Sequence, residues 1–205
     1  MVKFLREAFL WAYPPHCMSC RNAIDLRDKR RVRRYLCESC EPLFVPMEPP
    51  YCPKCGGPSK TGACRSCGSA ETSVEKNFAL YEYDALMREI IHRMKYRSME
   101  YIAKGLAQLA ADCAVGDGEA ARFFYEGGFS RLVPVPMTEK KLRRRGFNPS
   151  LILARAIGEK ICVPVDDSAL VRLSETVPQN LLEPFDRAKN LGEVFAAARG
   201  HEADG

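Results

Sequence analysis

The sequence predicts an α/β protein preceded by a cysteine-rich, metal-nucleated segment. Two observations carry this. Eight of the ten cysteines fall into four Cys-x-x-Cys pairs confined to the first 67 residues, and from Phe78 onward short apolar runs alternate with amphipathic stretches of helical period. Strands alternating with helices imply a layered fold with a largely parallel sheet. At 205 residues the chain fits one large domain, or a small one joined to a medium one.

The cysteine pairs are Cys17/Cys20, Cys37/Cys40, Cys52/Cys55 and Cys64/Cys67. No export signal is evident, because the N-terminus offers only six consecutive apolar residues after Glu7, and cytosolic thiols stay reduced. Repeated pairs that each let two thiolates grip one ion therefore point to zinc rather than to disulfides. Cys52-Pro-Lys-Cys55-Gly56 and Cys64-Arg-Ser-Cys67-Gly68 place glycine where a chain wrapping a metal turns through φ > 0. Cys17/Cys20 and Cys37/Cys40 lack those glycines and stand sixteen residues apart. Sequential pairing is the favoured arrangement, with interleaved ligation as the alternative. Four thiolates close a tetrahedral zinc, so both ions are expected to be structural. A redox role would need a pair at a helix N-terminus, whereas these sit among turns. His16 abuts Cys17 as a bystander, and Cys113 and Cys162 read as apolar core residues.

Charge follows from the same assignment. The formal net charge is +5, but eight thiolates and two zinc ions together remove four positive charges, leaving about +1. Global basicity is then no argument for nucleic-acid binding, and only local clusters count. No apolar run approaches the roughly 20 residues of a membrane span, and a cytoplasmic protein is expected.

In chain order, residues 1–15 form a helix ended by Pro14-Pro15, with Phe4, Leu5, Ala8, Phe9 and Ala12 on one face. Residues 16–68 lack apolar periodicity and need metal to fold, and 69–77 form a polar linker. A strand over Phe78–Tyr83 leads to a helix from Asp84, as N-cap, to about Lys95. A second helix covers Met99–Cys113, and the glycine-rich 114–128 reads as a loop. A strand at 131–135 empties into a basic loop, Lys140 to Arg145. Asn148 caps a further helix with Pro149 at its first position and Gly158 closing it. Short strands are expected at 161–165 and 169–173, and a last helix near 184–191.

Two basic clusters carry possible chemistry. Six of the eight residues 27–34 are basic, namely Arg27, Lys29, Arg30, Arg31, Arg33 and Arg34. They read either as a solvated loop or as contacts to a nucleic-acid backbone, which would be salt-dependent and sequence-indifferent. The second cluster, Lys140, Lys141, Arg143, Arg144 and Arg145, follows a strand and precedes Gly146 and the cap Asn148. A loop at the carboxyl edge of a sheet, beside a helix N-terminus, suits a phosphate or pyrophosphate.

Pro14-Pro15-x-Cys17-x-x-Cys20, the later pairs, Met94-Lys95-Tyr96-Arg97, Val133-Pro134-Val135-Pro136, Arg145-Gly146-Phe147-Asn148, Thr176-x-x-Gln179, Arg187-x-x-Asn190 and Phe195 occur in an order that resembles the ComF family. The resemblance spans almost the whole chain. It implies an N-terminal double zinc ribbon with four cysteines to each ion (16–68), a linker (69–77), and an incomplete phosphoribosyltransferase-like, Rossmann-like α/β domain (78–205). By resemblance, Arg145 to Asn148 border the pyrophosphate of a phosphoribosyl pyrophosphate-type ligand, with Mg²⁺ accompanying it, and Gln179, Arg187 and Asn190 belong to a closing segment. The family's ribose-phosphate loop, Asp-Asp followed by a Thr-Thr-Gly turn, is expected after Phe195 and does not occur before Gly205. Asp166-Asp167 is not that loop: Pro164 interrupts its strand, and Ser168-Ala169-Leu170 lacks the glycine and hydroxyls of a phosphate cradle.

The resulting expectation is a C-terminally truncated, competence-associated protein of DNA uptake or nucleotide-linked metabolism, with two structural zinc ions. It would bind a phosphorylated ribose or other phosphate ligand, with single-stranded DNA or DNA-uptake proteins as partners, and transfer chemistry is not expected from this chain alone. Alternatives are an active phosphoribosyltransferase completed by further sequence or a partner, and a zinc-ribbon DNA-binding adaptor.

Overall fold

The computed structural model describes residues 14–24, 35–60, 62–65, 67, 74–174 and 194–198. Of the helices expected at 1–15 and 184–191, all residues but Pro14 and Pro15 lie outside them. A short 3-10 turn covers Glu41–Leu43; then follow α1 (Ala85–Tyr96), α2 (Glu100–Ala114), α3 (Glu119–Glu126), α4 (Glu139–Arg145), α5 (Pro149–Ile161), β1 (Leu170–Arg172) and β2 (Phe195–Ala197). The chain forms two compact units, one of Met1–His92 with Cys113–Gly127, the other of Arg93–Asp112 with Gly128–Gly205.

The first unit holds an internal repeat in which the surroundings of Cys17 recur around Cys52. The Cys17 N–H donates to Asn22 O and the Arg21 N–H to Cys17 O; likewise Cys52 donates to Gly57 O and Gly56 to Cys52 O, all at 2.8–2.9 Å. His16 bridges Ala23 as Tyr51 bridges Pro58. The expected strand over Phe78–Tyr83 is reduced to a short antiparallel pairing with 45–47, through Met47 N–H to Leu80 O and Glu82 N–H to Val45 O. It packs with the cysteine modules: Phe44 meets Tyr81 edge-on at 5.8 Å, and Phe78 stacks on Phe123 at 5.5 Å. Phe123 belongs to α3, a helix in the stretch expected to be a loop. The flanking glycines Gly118 and Gly127 are its caps rather than signs of irregular chain. The first turns of α1 contribute buried Met87 and Ile90 to this unit, and the Asp84 carboxylate accepts from Met87 N–H at 2.7 Å, as expected of an N-cap.

In the second unit, α2 buries Ile102, Ala103, Ala107, Leu109 and Ala110, and α5 buries Ala154 and Ile157. Each large side chain such as Ile102 or Leu109 contributes about 1.5–3 kcal/mol by leaving water. The expected parallel layer is limited, among the described residues, to one parallel bridge between Leu132 and Val165, with Leu132 N–H to Pro164 O and Asp166 N–H to Leu132 O both at 2.9 Å. The sheet among the described residues is instead two-stranded and antiparallel, with Leu170 opposite Ala197 and Arg172 opposite Phe195. The Arg172 guanidinium lies 5.3 Å over the Phe195 ring. Gly158 does not end α5, which continues to Ile161. It lets the helix approach the 163–165 segment, where an added Cβ would stand 2.6 Å from Val163 O and 3.0 Å from Val165. The fold is thus mixed α/β behind a cysteine-rich N-terminal portion.

Candidate metal centres and anion site

The eight N-terminal cysteines converge on two points. Cys17, Cys20, Cys37 and Cys40 form one cluster and Cys52, Cys55, Cys64 and Cys67 the other, with all sulfurs of a cluster within 4.8 Å of one another. Pairing is therefore sequential, and the interleaved alternative falls away. Four thiolates about 2.3 Å from a tetrahedral zinc stand about 3.8 Å apart. Cys20 Sγ to Cys37 Sγ is 3.6 Å and Cys55 Sγ to Cys64 Sγ is 3.8 Å, so the donor set fits the ion. His16 belongs to neither cluster.

Backbone amides prepare each cluster for anionic sulfur. Burial raises the Cys17 thiol pKa, but N–H donation from Cys37, Cys20 and Ser19 outweighs it and brings the value from 9.0 to about 7. The N–H groups of Cys64, Cys55 and Lys54 bring Cys52 to about 6 against its burial. The same crowding pushes a second cysteine of each cluster up. Cys37 rises to about 12 through burial and hydrogen bonding with Cys40 and Cys20, and Cys67 to about 12 through hydrogen bonding with Cys55 and Cys64. Four adjacent thiols cannot all ionise without a cation between them. With four protein ligands no coordination position is left for substrate, so these are two structural zinc sites.

The predicted basic loop is a helix. Thr138 caps α4 by accepting from Lys141 N–H, Arg143, Arg144 and Arg145 fill the last turn, and Gly146 closes it in the left-handed region at φ 85°. A Cβ at Gly146 would meet nothing within 4 Å, so glycine is needed there for its backbone angle rather than for space. Cations in the last turn complement the negative end of the helix dipole. Phe147 then turns inward and is buried. Asn148 caps α5 by accepting from Ser150 N–H at 3.0 Å, while its amide donates to Val135 O at 3.1 Å and fixes the helix start to the preceding extended segment.

The basic side chains do not converge on one point. Arg143 pairs with Glu139 at 3.1 Å on the exposed face of α4. Lys140 and Arg144 are exposed. Arg145 is half-buried, and its Nε donates to Lys95 O at 3.2 Å while Nη1 reaches Met137 Sδ at 3.8 Å. The Ser98 hydroxyl donates to Arg144 O at 3.4 Å. Next to this junction lies a cleft of about 440 Å³, lined by Pro134, Pro136, Met137, Gly146, Phe147 and Asn148 among others. Most of its lining residues are apolar, and Glu100 and the Arg155–Asp167 pair (3.2 Å) also line it.

Asp166 and Asp167 form a surface turn, as the sequence suggested. Asp166 Oδ1 accepts from the N–H groups of Ser168 and Ala169 and from the Ser168 hydroxyl. Gln179, Arg187 and Asn190, and the cluster Arg27, Lys29, Arg30, Arg31, Arg33 and Arg34, lie outside the described residues. Lys95 was missed as a neighbour of the basic stretch; its place in Met94-Lys95-Tyr96-Arg97, fifty residues before Arg145, gave no sign of the contact.

A double zinc ribbon domain family matches residues 8–72. Competence protein F of Haemophilus influenzae is 27% identical over 184 residues, covering 89% of this chain and 76% of that protein. Competence protein ComFC of Bacillus subtilis is 26% identical over 140 residues (60% of this chain, 51% of its own length). DNA utilization protein YhgH of Escherichia coli is 26% identical over 146 residues (70% and 63%). The chain thus spans between half and about three quarters of these relatives. No solved structure matches it. None of the helices among the described residues is long and apolar enough to cross a membrane. The similarity to these competence and DNA utilization proteins begins in the paired zinc modules and runs on through most of the remaining sequence, as the resemblance to the ComF family implies.

Proposed function

We propose that the second unit binds the pyrophosphate end of a phosphorylated ribose at the Arg145–Gly146–Asn148 turn, in a protein serving DNA uptake. The zinc ribbons stabilise the chain and take no part in chemistry. The observation that carries the reading is the half-buried Arg145 beside the cleft. Arg145 has no carboxylate within ion-pair distance among the described residues, whereas Arg131, Arg143 and Arg155 each have one. A guanidinium has five N–H donors, and Arg145 engages two protein acceptors, so donors remain for an anion. Gly146 lets the backbone turn there, and the cleft gives an apolar wall against which a sugar or base can rest.

The names of the relatives, two competence proteins and a DNA utilization protein, support the DNA-uptake setting. Mg²⁺ would accompany the pyrophosphate group, and Gln179, Arg187 and Asn190 would close over it. The reading is one of binding. Calorimetric titration of the zinc-loaded chain with phosphoribosyl pyrophosphate and Mg²⁺ tests it: saturable binding that weakens at least tenfold in Arg145→Met supports it, and no heat at millimolar ligand removes it.

The relatives' names also favour a second reading, nucleic-acid backbone contact through Arg30, Arg31, Arg33 and Arg34. Affinity for single-stranded DNA should then fall steeply with salt and disappear when these four become alanine. Salt-independent binding would exclude that contact.

A further inference from the structure

We propose that the second zinc module is a peroxide-sensitive clasp on residues 77–79: oxidation joins Cys55 to Cys64 in a disulfide, the zinc leaves, and the segment that runs on towards α1 loses its anchor. This lies apart from ligand binding by the second unit, in which the zinc ions take no part.

The two modules share a backbone plan but differ in enclosure. Around the first ion Cys17 and Cys40 are buried, Cys37 is half-buried and Cys20 is exposed. Around the second only Cys52 is buried, while Cys64 and Cys67 are half-buried and Cys55 is exposed. The first module also buries Met18, Ile24 and Leu36, whereas among the described residues from 52 to 67 the only buried apolar side chain is Cys52. Cys55 and Cys64 come from different Cys-x-x-Cys pairs and face each other, with their sulfurs 3.8 Å apart. They must close by about 1.8 Å to reach the roughly 2.0 Å of a disulfide bond. A zinc-bound thiolate is ionised whatever its backbone setting, so the turns around these pairs do not protect it. Burial does, by keeping oxidant away, and that protection is weaker at the second ion.

The reaction consumes one molecule of hydrogen peroxide. The Cys55 thiolate attacks a peroxide oxygen, the O–O bond breaks, hydroxide leaves and a sulfenic acid remains. The Cys64 thiolate then attacks the sulfenic sulfur, the S–S bond forms and a second hydroxide departs. Two electrons have passed from the sulfurs to the peroxide oxygens. Zinc is left with Cys52 and Cys67, which take up protons as the ion goes.

The turn from Cys52 to Gly57 holds the segment concerned. Asn77 N–H donates to Pro53 O at 2.8 Å, and Tyr51 meets the Phe78 ring edge-on at 6.0 Å. Gly56 lies so close to Ala79 that a Cβ on it would stand 3.3 Å from the Ala79 Cβ. With no apolar core in the module to fix this turn, the ion fixes it, and zinc loss frees residues 77–79.

The test is hydrogen peroxide treatment of the zinc-loaded chain, read by released zinc, by disulfide mapping with mass spectrometry and by amide exchange. One of the two zinc ions should be released, with a Cys55–Cys64 link and the first-module cysteines still reduced. The Asn77 amide should exchange about tenfold faster or more, and dithiothreitol with zinc should restore it. Cys162, exposed and outside both clusters, reports the peroxide dose by its own oxidation. Cys64→His keeps four zinc donors but cannot close the disulfide, so it should retain both ions at that dose. Should it load fewer than two, Cys55→His takes its place under the same criterion, and the mapping on the native chain decides whichever variant loads. The proposal is overturned if Cys162 is oxidised while both ions stay bound, or if the first module releases its ion first. Zinc release with any other disulfide, or a Cys55–Cys64 link that leaves Asn77 exchange unchanged, overturns it as well.

Discussion

Arg21 in the first zinc module holds the left-handed backbone that Gly56 holds in the second, with φ 67° against 72°. Each follows the second cysteine of its pair, and each donates its N–H to the carbonyl four residues back, Cys17 or Cys52. A side chain in that region costs roughly 1 kcal/mol, so the turn is strained in one module and relaxed in the other.

Opposite substitutions should therefore have opposite signs. Gly56→Ala is expected to lower stability by about 1–2 kcal/mol, since its Cβ would also stand 3.3 Å from Ala79 Cβ. Arg21→Gly should be neutral or stabilising, because relief of the strain offsets the greater freedom of glycine in the unfolded chain. Thermal melts of the zinc-loaded variants check both.

Zinc affinity should rise with pH. Cys37 and Cys67, at about 12 without metal, carry protons at pH 7, so loading must displace at least one proton per site. Affinity then increases about tenfold per pH unit for each proton displaced, and acid releases the metal. Metal competition between pH 6 and 8 measures the slope; a flat profile would contradict the four-thiolate assignment. Chelation at constant pH should expose the first unit to protease, because its small core relies on the two ions.

Gly158→Ala is expected to destabilise the second unit by about 1–3 kcal/mol, because the new methyl group meets the Val163 carbonyl, a backbone atom that cannot swing aside. The shift should appear in denaturant midpoint without loss of zinc.

Asn148→Ala removes both the α5 cap and the link to Val135 O. A loss of about 1 kcal/mol or more is expected. Asn148→Asp should recover part of it, since a carboxylate still caps but cannot donate to the carbonyl.

The zinc centres were legible because cysteine spacing is itself the chemistry: sulfurs of a Cys-x-x-Cys pair already share an ion. Asp84 and Asn148-Pro149 marked helix starts for the same local reason. The repeat of the two zinc modules was hidden because Arg21 and Asn22 stand where Gly56 and Gly57 stand, and side-chain identity masked equal backbones. The stretch from Lys140 to Arg145 looked like a loop because of its charge, although Thr138, Glu139 and Gly146 supply a cap, an acidic first turn and a left-handed stop. Gly158 looked like a helix end, but its role is a tertiary approach to Val163 that no local pattern records. The Arg145–Lys95 contact likewise joins residues far apart in the chain and follows only from where α1 and α4 end.

The measurement that bears most directly on the proposed function is the response of backbone amide resonances to phosphoribosyl pyrophosphate with Mg²⁺ in the zinc-loaded chain. Saturating shifts at Gly146 and Phe147 are the expected result. Saturating shifts confined to the zinc modules, or none at millimolar ligand, would contradict it.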